Sequence, residues 1–101
     1  MNLPGPYMTW LLASLGAKVL KVEPPRGGDY GRSQGANPEA ARLSFDSVNR
    51  NKKSLALNLK TGDGKRIMER LIRKADVLIE NFAPGTIDRL GFGWERAKDI
   101  N

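Results

Sequence analysis

The stretch Lys53-Ser54-Leu55-Ala56-Leu57-Asn58-Leu59-Lys60 decides the fold that this sequence predicts. Its three leucines alternate with other residues, which is the period of a β-strand over 54–59 with one face better buried than the other. Thr61 is a good helix N-cap, and the apolar residues after it fall on one stripe of a helix over 62–75. The apolar run over 76–80 predicts a second, buried strand, so a β-α-β unit of about thirty residues results.

The residues before this unit predict one more helix and one more strand. Gly5-Pro6 begins a helix over 6–15, and apolar alternation predicts a strand over 17–22. A helix placed so closely before a strand normally returns from an earlier strand, and none precedes it here. We therefore expect a longer protein whose first, central strand, between 17–22 and 76–80, is missing from this chain. The alternative is a self-contained small domain whose first helix caps the sheet.

The rest of the chain completes the predicted fold class. Residues 24–44 read as irregular, with a short helix around Phe45, and two helices follow the last strand. The prediction is an α/β fold, an incomplete Rossmann-like parallel sheet with its first strand missing. Its strands lie near 17–22, 54–59 and 76–80, and its helices near 6–15, 62–75, 84–90 and 94–100.

Composition limits the chemistry that the chain supports. At 101 residues it makes at most one small domain, and with no Cys and no His it has no disulfide, thiol nucleophile, imidazole base or usual zinc site. It has no apolar run of about twenty residues and no signal pattern, so we expect a cytoplasmic protein without membrane contact. The net charge of +6 favours a nucleic acid or a phosphate-rich cofactor, or else reflects a solvated basic surface.

Candidate anion ligands follow the predicted strands. Ligands of open α/β sheets bind at the carboxyl ends of the strands, where Asn81 would stand. The glycine-rich dinucleotide fingerprint is missing, because only Gly5 precedes the first helix, and there is no Walker-type loop. The remaining hypothesis is an anion site built from side chains alone. Its candidates are Lys60, Asn81 and Arg89, with Arg26 and Arg32 as further choices. In the basic turn before Ser54, Lys52 and Lys53 are either phosphate contacts or part of a solvated turn.

Five blocks of sequence, in this order, resemble the class III CoA-transferases. This CaiB/BaiF family includes formyl-CoA transferase, carnitine CoA-transferase and α-methylacyl-CoA racemase. The blocks are Gly5-Pro6 with the helix to Leu15-Gly16-Ala17, Val19 to Pro25 with Gly27-Gly28-Asp29, Asn49 to Lys60, Ala75 to Gly85, and Asp88-Arg89-Leu90-Gly91. The resemblance implies that residues 1–101 are the N-terminal, coenzyme A-binding part of the family's large Rossmann-like domain.

The resemblance also implies a binding site. Coenzyme A or an acyl-CoA would lie along the carboxyl ends of the strands, as a substrate and not as a permanently bound cofactor. The residues implied to line its adenosine diphosphate part are Leu57, Asn58, Leu59 and Lys60, with Lys60 facing the phosphates. Those implied to contact the nucleotide and pantetheine are Asn81, Phe82 and Ala83. Arg89 would pair with a phosphate, to which a guanidinium is well suited. Core packing of Phe82 and a solvated helix face for Arg89 are the alternatives.

By resemblance, the activity is transfer of coenzyme A between an acyl-CoA and a small carboxylic acid through an aspartyl intermediate. The family pattern puts that aspartate beyond Asn101, so we expect the isolated chain to be inactive and assign it no catalytic residue or metal ligand. Full-length relatives would form interlocked homodimers. Two alternatives stay open: the racemase branch, which moves an α-proton by acid–base chemistry, and a non-enzymatic basic module that binds nucleic acid or nothing specific. The acyl donor and the acceptor acid are left open.

Overall fold

The computed structural model describes residues 3–32 and 36–101 of the chain. They form two compact units, one that reaches to Leu57 and one over Asn58–Asn101. The elements of the first unit are α1 (Pro4–Ser14), β1 (Val19–Glu23), a 3-10 turn (Tyr30–Arg32), α2 (Pro38–Asn49) and β2 (Lys52–Ala56). Those of the second are α3 (Gly62–Ile72), α4 (Thr86–Leu90) and α5 (Trp94–Ile100). Helices and a parallel sheet occur together, so the predicted α/β class is confirmed.

The two strands of the first unit pair in parallel, from Val19 opposite Lys52 to Glu23 opposite Ala56. The connection between them contains α2, as a parallel pair requires. β1 is followed by Pro24, which has no N–H to donate, and the ladder ends there with a bond from the N–H of Leu57 to the carbonyl of Glu23 at 2.8 Å. Strand β2 begins at Lys52, two residues before the predicted strand 54–59, and ends at Ala56, three residues before the predicted end.

Helix α2 corrects the prediction for this part of the chain. The sequence analysis made residues 24–44 irregular, yet twelve residues from Pro38 onward are helical. Asn37 caps the helix, because its side-chain oxygen accepts hydrogen bonds from the backbone N–H groups of Glu39 and Ala40. Proline follows at the first helical position, where it costs no hydrogen bond. The start signal was present in the sequence, and the predicted short helix around Phe45 covers only the later part of α2.

Helix α1 is apolar on most of its surface and only partly covered. It begins two residues earlier than predicted, and Gly16 follows its end with a φ of 101°, a conformation that glycine adopts freely. Trp10 is half-buried, with the ring of Tyr7 at 5.6 Å and the guanidinium of Arg50 at 5.9 Å from its own ring. Among the described residues, no helix is long and apolar enough to cross a bilayer.

In the second unit, side chains cap both ends of α3. Thr61 accepts a hydrogen bond from the N–H of Gly64 at 3.1 Å, as its predicted N-cap role requires. The helix ends three residues before the predicted 75, since the N–H of Ala75 bonds to the carbonyl of Ile72, three residues back. Asn101 then donates from its amide to the carbonyls of Ile72 and Ala75, at 3.0 and 2.9 Å. Its side chain thus satisfies carbonyls that a helix end leaves without partners.

The predicted strand over 76–80 is wrong. The described residues contain a single two-stranded sheet, made of β1 and β2, and 76–80 is not part of it. A strand exists only through ladder hydrogen bonds to a neighbouring strand, and no described segment pairs with 76–80. Val77 is accordingly 65% exposed, and Leu78 lines an open cleft of the second unit together with Phe92 and Trp94.

Glycines flank the last two helices, α4 and α5. Gly85, with a φ of 78°, precedes α4, so the helix starts at Thr86 and not at the predicted 84. Gly91 ends it with a φ of 91°, as predicted. Helix α5 matches its predicted range and packs against α3, where Arg96 bonds to Glu69 at 2.6 Å. Trp94, its first residue, is 74% exposed.

Replacing Gly64 by alanine should destabilise the chain. A Cβ at this buried position would lie 1.8 Å from the carbonyl oxygen of Asn58, a backbone atom that cannot swing aside. We expect Gly64→Ala to lower the free energy of unfolding by about 1–3 kcal/mol, the range for overpacking, in urea denaturation. Gly62→Ala is the control, because its Cβ would meet only the end of Arg66, at 3.5 Å. Equal stability of the two variants would contradict the prediction.

Loss of the Asn37 cap should weaken α2. Its oxygen lies 3.0 and 3.3 Å from the two backbone nitrogens that it serves. We expect Asn37→Ala to lower the free energy of unfolding by about 1 kcal/mol and Asn37→Asp to retain it, because aspartate caps equally well. Thermal melts of the three proteins measure this, and a melting temperature of the alanine variant equal to that of the wild type would refute it.

Candidate functional site

The turn before α3 holds the predicted residues from Asn58 to Lys60. The side-chain oxygen of Asn58 accepts a hydrogen bond from the N–H of Lys60 at 3.0 Å, and its carbonyl accepts from the hydroxyl of Thr61 at 2.9 Å. These bonds fix the backbone of the turn, while the side chain of Lys60 is exposed and Leu59 is half-buried. No carboxylate in the described part of the chain pairs with Lys60. Its ammonium is therefore available to an anion.

The segment before α4 holds the other predicted residues. Asn81 and Ala83 are exposed, and Phe82 is 50% exposed, so the predicted contact residues face solvent and Phe82 is not a core residue. The N–H of Phe82 donates to the carboxylate of Glu80 at 2.8 Å, which fixes the chain at this point. Arg89 is exposed on α4 and donates from its Nη2 to the hydroxyl of Thr86 at 2.9 Å, so most of its donors remain free.

Both segments belong to the second unit. The start of α3 lies near the end of α4, because a Cβ built on Gly91 would come within 3.8 Å of the Lys65 ammonium. The described residues show no hydrogen bond or ion pair between the Asn58–Lys60 turn and the Asn81–Ala83 segment. Each segment is held by its own local bonds, and their joint action on one ligand remains a prediction.

Leu57 differs from the other predicted residues. It is 8% exposed and is the last residue of the first unit, where its N–H is bonded to Glu23. Its side chain is part of a core and leaves little surface for a ligand. The predicted contact of Leu57 with the cofactor stays a prediction.

The sequence analysis missed a charged network in the first unit. Glu23, only 4% exposed, accepts four hydrogen bonds: from the N–H of Asp29, from Nε and Nη2 of Arg32, and from the hydroxyl of Ser54, all at 2.7–2.8 Å. The Arg32 guanidinium also lies 4.1 Å from the centre of the Phe45 ring. Arg32, considered as an anion ligand, is thus already paired. Only the position of Glu23 at a strand end hinted at the network, because its partners are distant in sequence.

The bonds to Glu23 explain its titration. The hydrogen bond from Arg32 lowers the pKa of Glu23 from 4.5 to about 2; burial opposes this, and the bonds from Asp29 and Ser54 assist it. Burial alone would raise the pKa of Asp29, but its hydrogen bond from Lys21 and that from the Gly31 N–H lower it overall. The ammonium nitrogen of Lys21 and the carboxylate oxygen Oδ2 of Asp29 are 2.5 Å apart. Both carboxylates are consequently ionised wherever the fold is intact at neutral pH.

The described residues contain no group of three or more His, Cys, Asp or Glu side chains arranged to hold a metal ion. The second unit offers exposed cations and an exposed aromatic ring to a ligand. Local hydrogen bonds hold the backbone that carries these side chains in place. Cations suit a phosphate group, and an exposed aromatic ring suits a flat ring of a ligand.

Comparison with known proteins identifies the relatives of this chain. A family model described as CoA-transferase family III matches residues 1–101. Formyl-CoA:oxalate CoA-transferases from Escherichia coli O6:H1 and Shigella boydii serotype 18 are each 50% identical to it over 98 residues, which is 96% of this chain. The chain spans 24% of the length of these curated relatives.

Solved structures resemble the chain over the same extent. A hypothetical protein from Mycobacterium tuberculosis, Rv3272, is 41% identical with a TM-score of 0.85, over 95% of this chain and 26% of its own. A CaiB/BaiF family protein from Brucella suis is 38% identical with a TM-score of 0.83, over 95% of this chain and 26% of its own.

Neutralising Glu23 should remove a pH-dependent part of the stability. Its pKa is 4.5 when unfolded and about 2 when folded, so the unfolded state takes up a proton first as the pH falls. The contribution is present above pH 4.5, is lost as the pH falls toward 2, and amounts to about 3 kcal/mol. We expect Glu23→Gln to be less stable at pH 7 and to depend less on pH between 4.5 and 2, measured by urea denaturation.

The matched control for this experiment is Glu39→Gln, which alters an exposed carboxylate outside the network. It should follow the wild-type profile closely. Parallel profiles for Glu23→Gln and the wild type across this pH range would show that the network does not stabilise the fold.

Proposed function

We propose that this chain, which belongs to CoA-transferase family III, forms the coenzyme A-binding part of an acyl-CoA:carboxylate CoA-transferase. Coenzyme A would be a substrate that binds and leaves, and a small carboxylic acid would be the acceptor. The observation that carries the proposal is a pair of solvent-facing cations in the second unit, Lys60 and Arg89. The exposed Phe82 lies between them in the sequence. The family supplies the ligand class, and these side chains supply the matching chemistry.

Lys60 is proposed to face the phosphates of the cofactor. It stands one residue before the N-cap of α3, an eleven-residue helix whose first N–H groups carry partial positive charge. The hydrogen bond from its N–H to Asn58 holds its backbone, so an anion that binds has only the side chain to order. Asn58 and Leu59 would contact the adenosine diphosphate part as members of the same turn, with Leu57 supporting them from its buried position.

Phe82 is proposed to lie against the nucleotide, with Asn81 and Ala83 beside the nucleotide and pantetheine. An aromatic ring half in water gains stabilisation when a flat base covers it. Arg89 is proposed to pair with a phosphate: its bond to the Thr86 hydroxyl orients the guanidinium and leaves donors for two oxygen atoms. Burying a charged side chain against a phosphate also explains why this arginine has no carboxylate partner among the described residues.

The chemical step would proceed through an aspartate that the family pattern puts beyond Asn101. The aspartate attacks the acyl-CoA thioester, which forms a mixed anhydride and releases the thiolate. The thiolate attacks the aspartyl carbonyl of the anhydride, which expels the first acid and forms an aspartyl-CoA thioester. The acceptor carboxylate then attacks this thioester and expels the thiolate again, and attack of the thiolate on the acceptor's carbonyl in the new anhydride gives the product acyl-CoA and frees the aspartate. The residues of this chain would bind and orient coenzyme A for these steps. We therefore propose that the 101 residues alone transfer no acyl group, and that the whole protein acts as an interlocked homodimer.

Binding of coenzyme A should depend on the two cations. We expect calorimetry of the chain to show saturable binding, and Lys60→Ala and Arg89→Ala each to weaken it about tenfold or more, since each loses a charged hydrogen bond. Lys74→Ala is the control, because it removes an equal charge from an exposed position of the same unit, after α3.

Three outcomes would count against the proposal. They are no binding of coenzyme A, an equal loss in the Lys74→Ala variant, and binding of a short DNA duplex that competes with coenzyme A. The last outcome would favour the non-enzymatic basic module. Acyl transfer by the isolated chain in a single-turnover assay would refute the assignment of the reacting group to a residue beyond Asn101.

A further inference from the structure

A small cavity in the first unit carries excess positive charge. It lies on the face of the sheet where Lys21 pairs in register with Ser54, and its volume is about 100 Å³. A single water needs only about 10–15 Å³, so the cavity has room for a molecule of several heavy atoms. The charged residues that line it are four cations and one carboxylate: Lys21, Arg32, Lys52, Lys53 and Glu23.

The carboxylates near the cavity are already occupied. Glu23 accepts its hydrogen bonds from Arg32, Ser54 and the backbone, and Asp29, close by, is paired with Lys21. Two of the four cations are thereby neutralised. Neither Lys52 nor Lys53 forms an ion pair with a carboxylate anywhere in residues 3–32 and 36–101. The charge that remains at the cavity is therefore positive.

Lys52 is the more confined of these two lysines. Its ammonium is half-buried and donates to two neutral oxygens, the carbonyl of Pro6 and the side chain of Asn49, both at 2.9 Å. An ammonium has three donors, so one remains. The pKa of Lys52 is lowered to about 8, mainly by burial and also by the positive charge of Lys21, while Asp29 opposes the shift. At neutral pH the group is still charged, in surroundings that disfavour the charge.

We propose that this cavity binds a small oxyanion, with the Lys52 ammonium as its direct ligand and the unpaired Lys53 adding favourable charge. An anion at this position supplies the negative charge that the protein itself does not provide, and it relieves the repulsion between Lys52 and Lys21. A carboxylate, bicarbonate and phosphate share the required chemistry. The site uses residues of the first unit only, so it stands or falls separately from the coenzyme A proposal, which depends on Lys60 and Arg89.

The test is an NMR titration of the lysine side chains in the intact chain. Acetate, bicarbonate and phosphate are added in turn at constant ionic strength, with chloride as the balancing salt. We expect saturable shifts at Lys52 with at least one oxyanion, and a pKa of Lys52 that rises from about 8 toward 10.5 when the anion is bound. The anion that saturates identifies which of the three chemistries the site prefers.

Two variants make the result specific. Lys52→Met should abolish the saturable binding, whereas Lys18→Met, which removes an exposed lysine of the same unit outside the cavity, should leave it intact. Linear shifts that match those with chloride, an unchanged Lys52 pKa, or wild-type affinity in Lys52→Met would each overturn the proposal. If Lys52→Met fails to fold, the wild-type titration alone decides, because the pKa of Lys52 either rises with the anion or does not.

Discussion

The carboxylate of Glu23 connects the two strands of the first unit with the segment from Asp29 to Arg32. It joins the end of β1 to Ser54 in β2, to the backbone of Asp29 and to the guanidinium of Arg32. Both oxygens are used, and Arg32 lies over Phe45 of α2. A buried charge is costly unless its hydrogen bonds are complete, and here they are. The sheet face toward α2 can therefore be polar without an unsatisfied group among the described buried side chains.

In the second unit, the two cations of the candidate site have no carboxylate partner among the described residues. The order of this unit comes from backbone: Asn58 and Gly64 approach so closely that only glycine fits, and Thr61 closes the turn between them. The cations, Lys60 and Arg89, stay at the surface. Charges that are already paired hold a fold together, whereas charges held in place but unpaired are able to recognise a ligand. This contrast is the physical basis for assigning a structural role to Glu23 and its partners and a binding role to Lys60 and Arg89.

Local signals in the sequence were sufficient at several helix ends. Thr61, Gly16 and Gly91 mark helix ends because their roles need only nearby backbone. The prediction of a strand over 76–80 was wrong because strand pairing depends on a partner that is distant in sequence. An apolar run does not show whether such a partner is present. The network around Glu23 was missed for the same reason: Ser54 lies thirty-one residues away. The candidate site was predicted from motifs, and the structure shows exposed side chains there without showing that they act together.

The two tryptophans of the chain fall one in each unit and in different surroundings. Trp10 is half-buried beside Tyr7 and Arg50, whereas Trp94 stands mostly in water. Trp94 should therefore emit at long wavelength and be quenched readily by iodide, while Trp10 should emit further to the blue and resist quenching. Single-tryptophan versions of the chain would thus carry separate optical reporters, from which the melting of each unit is followed on its own.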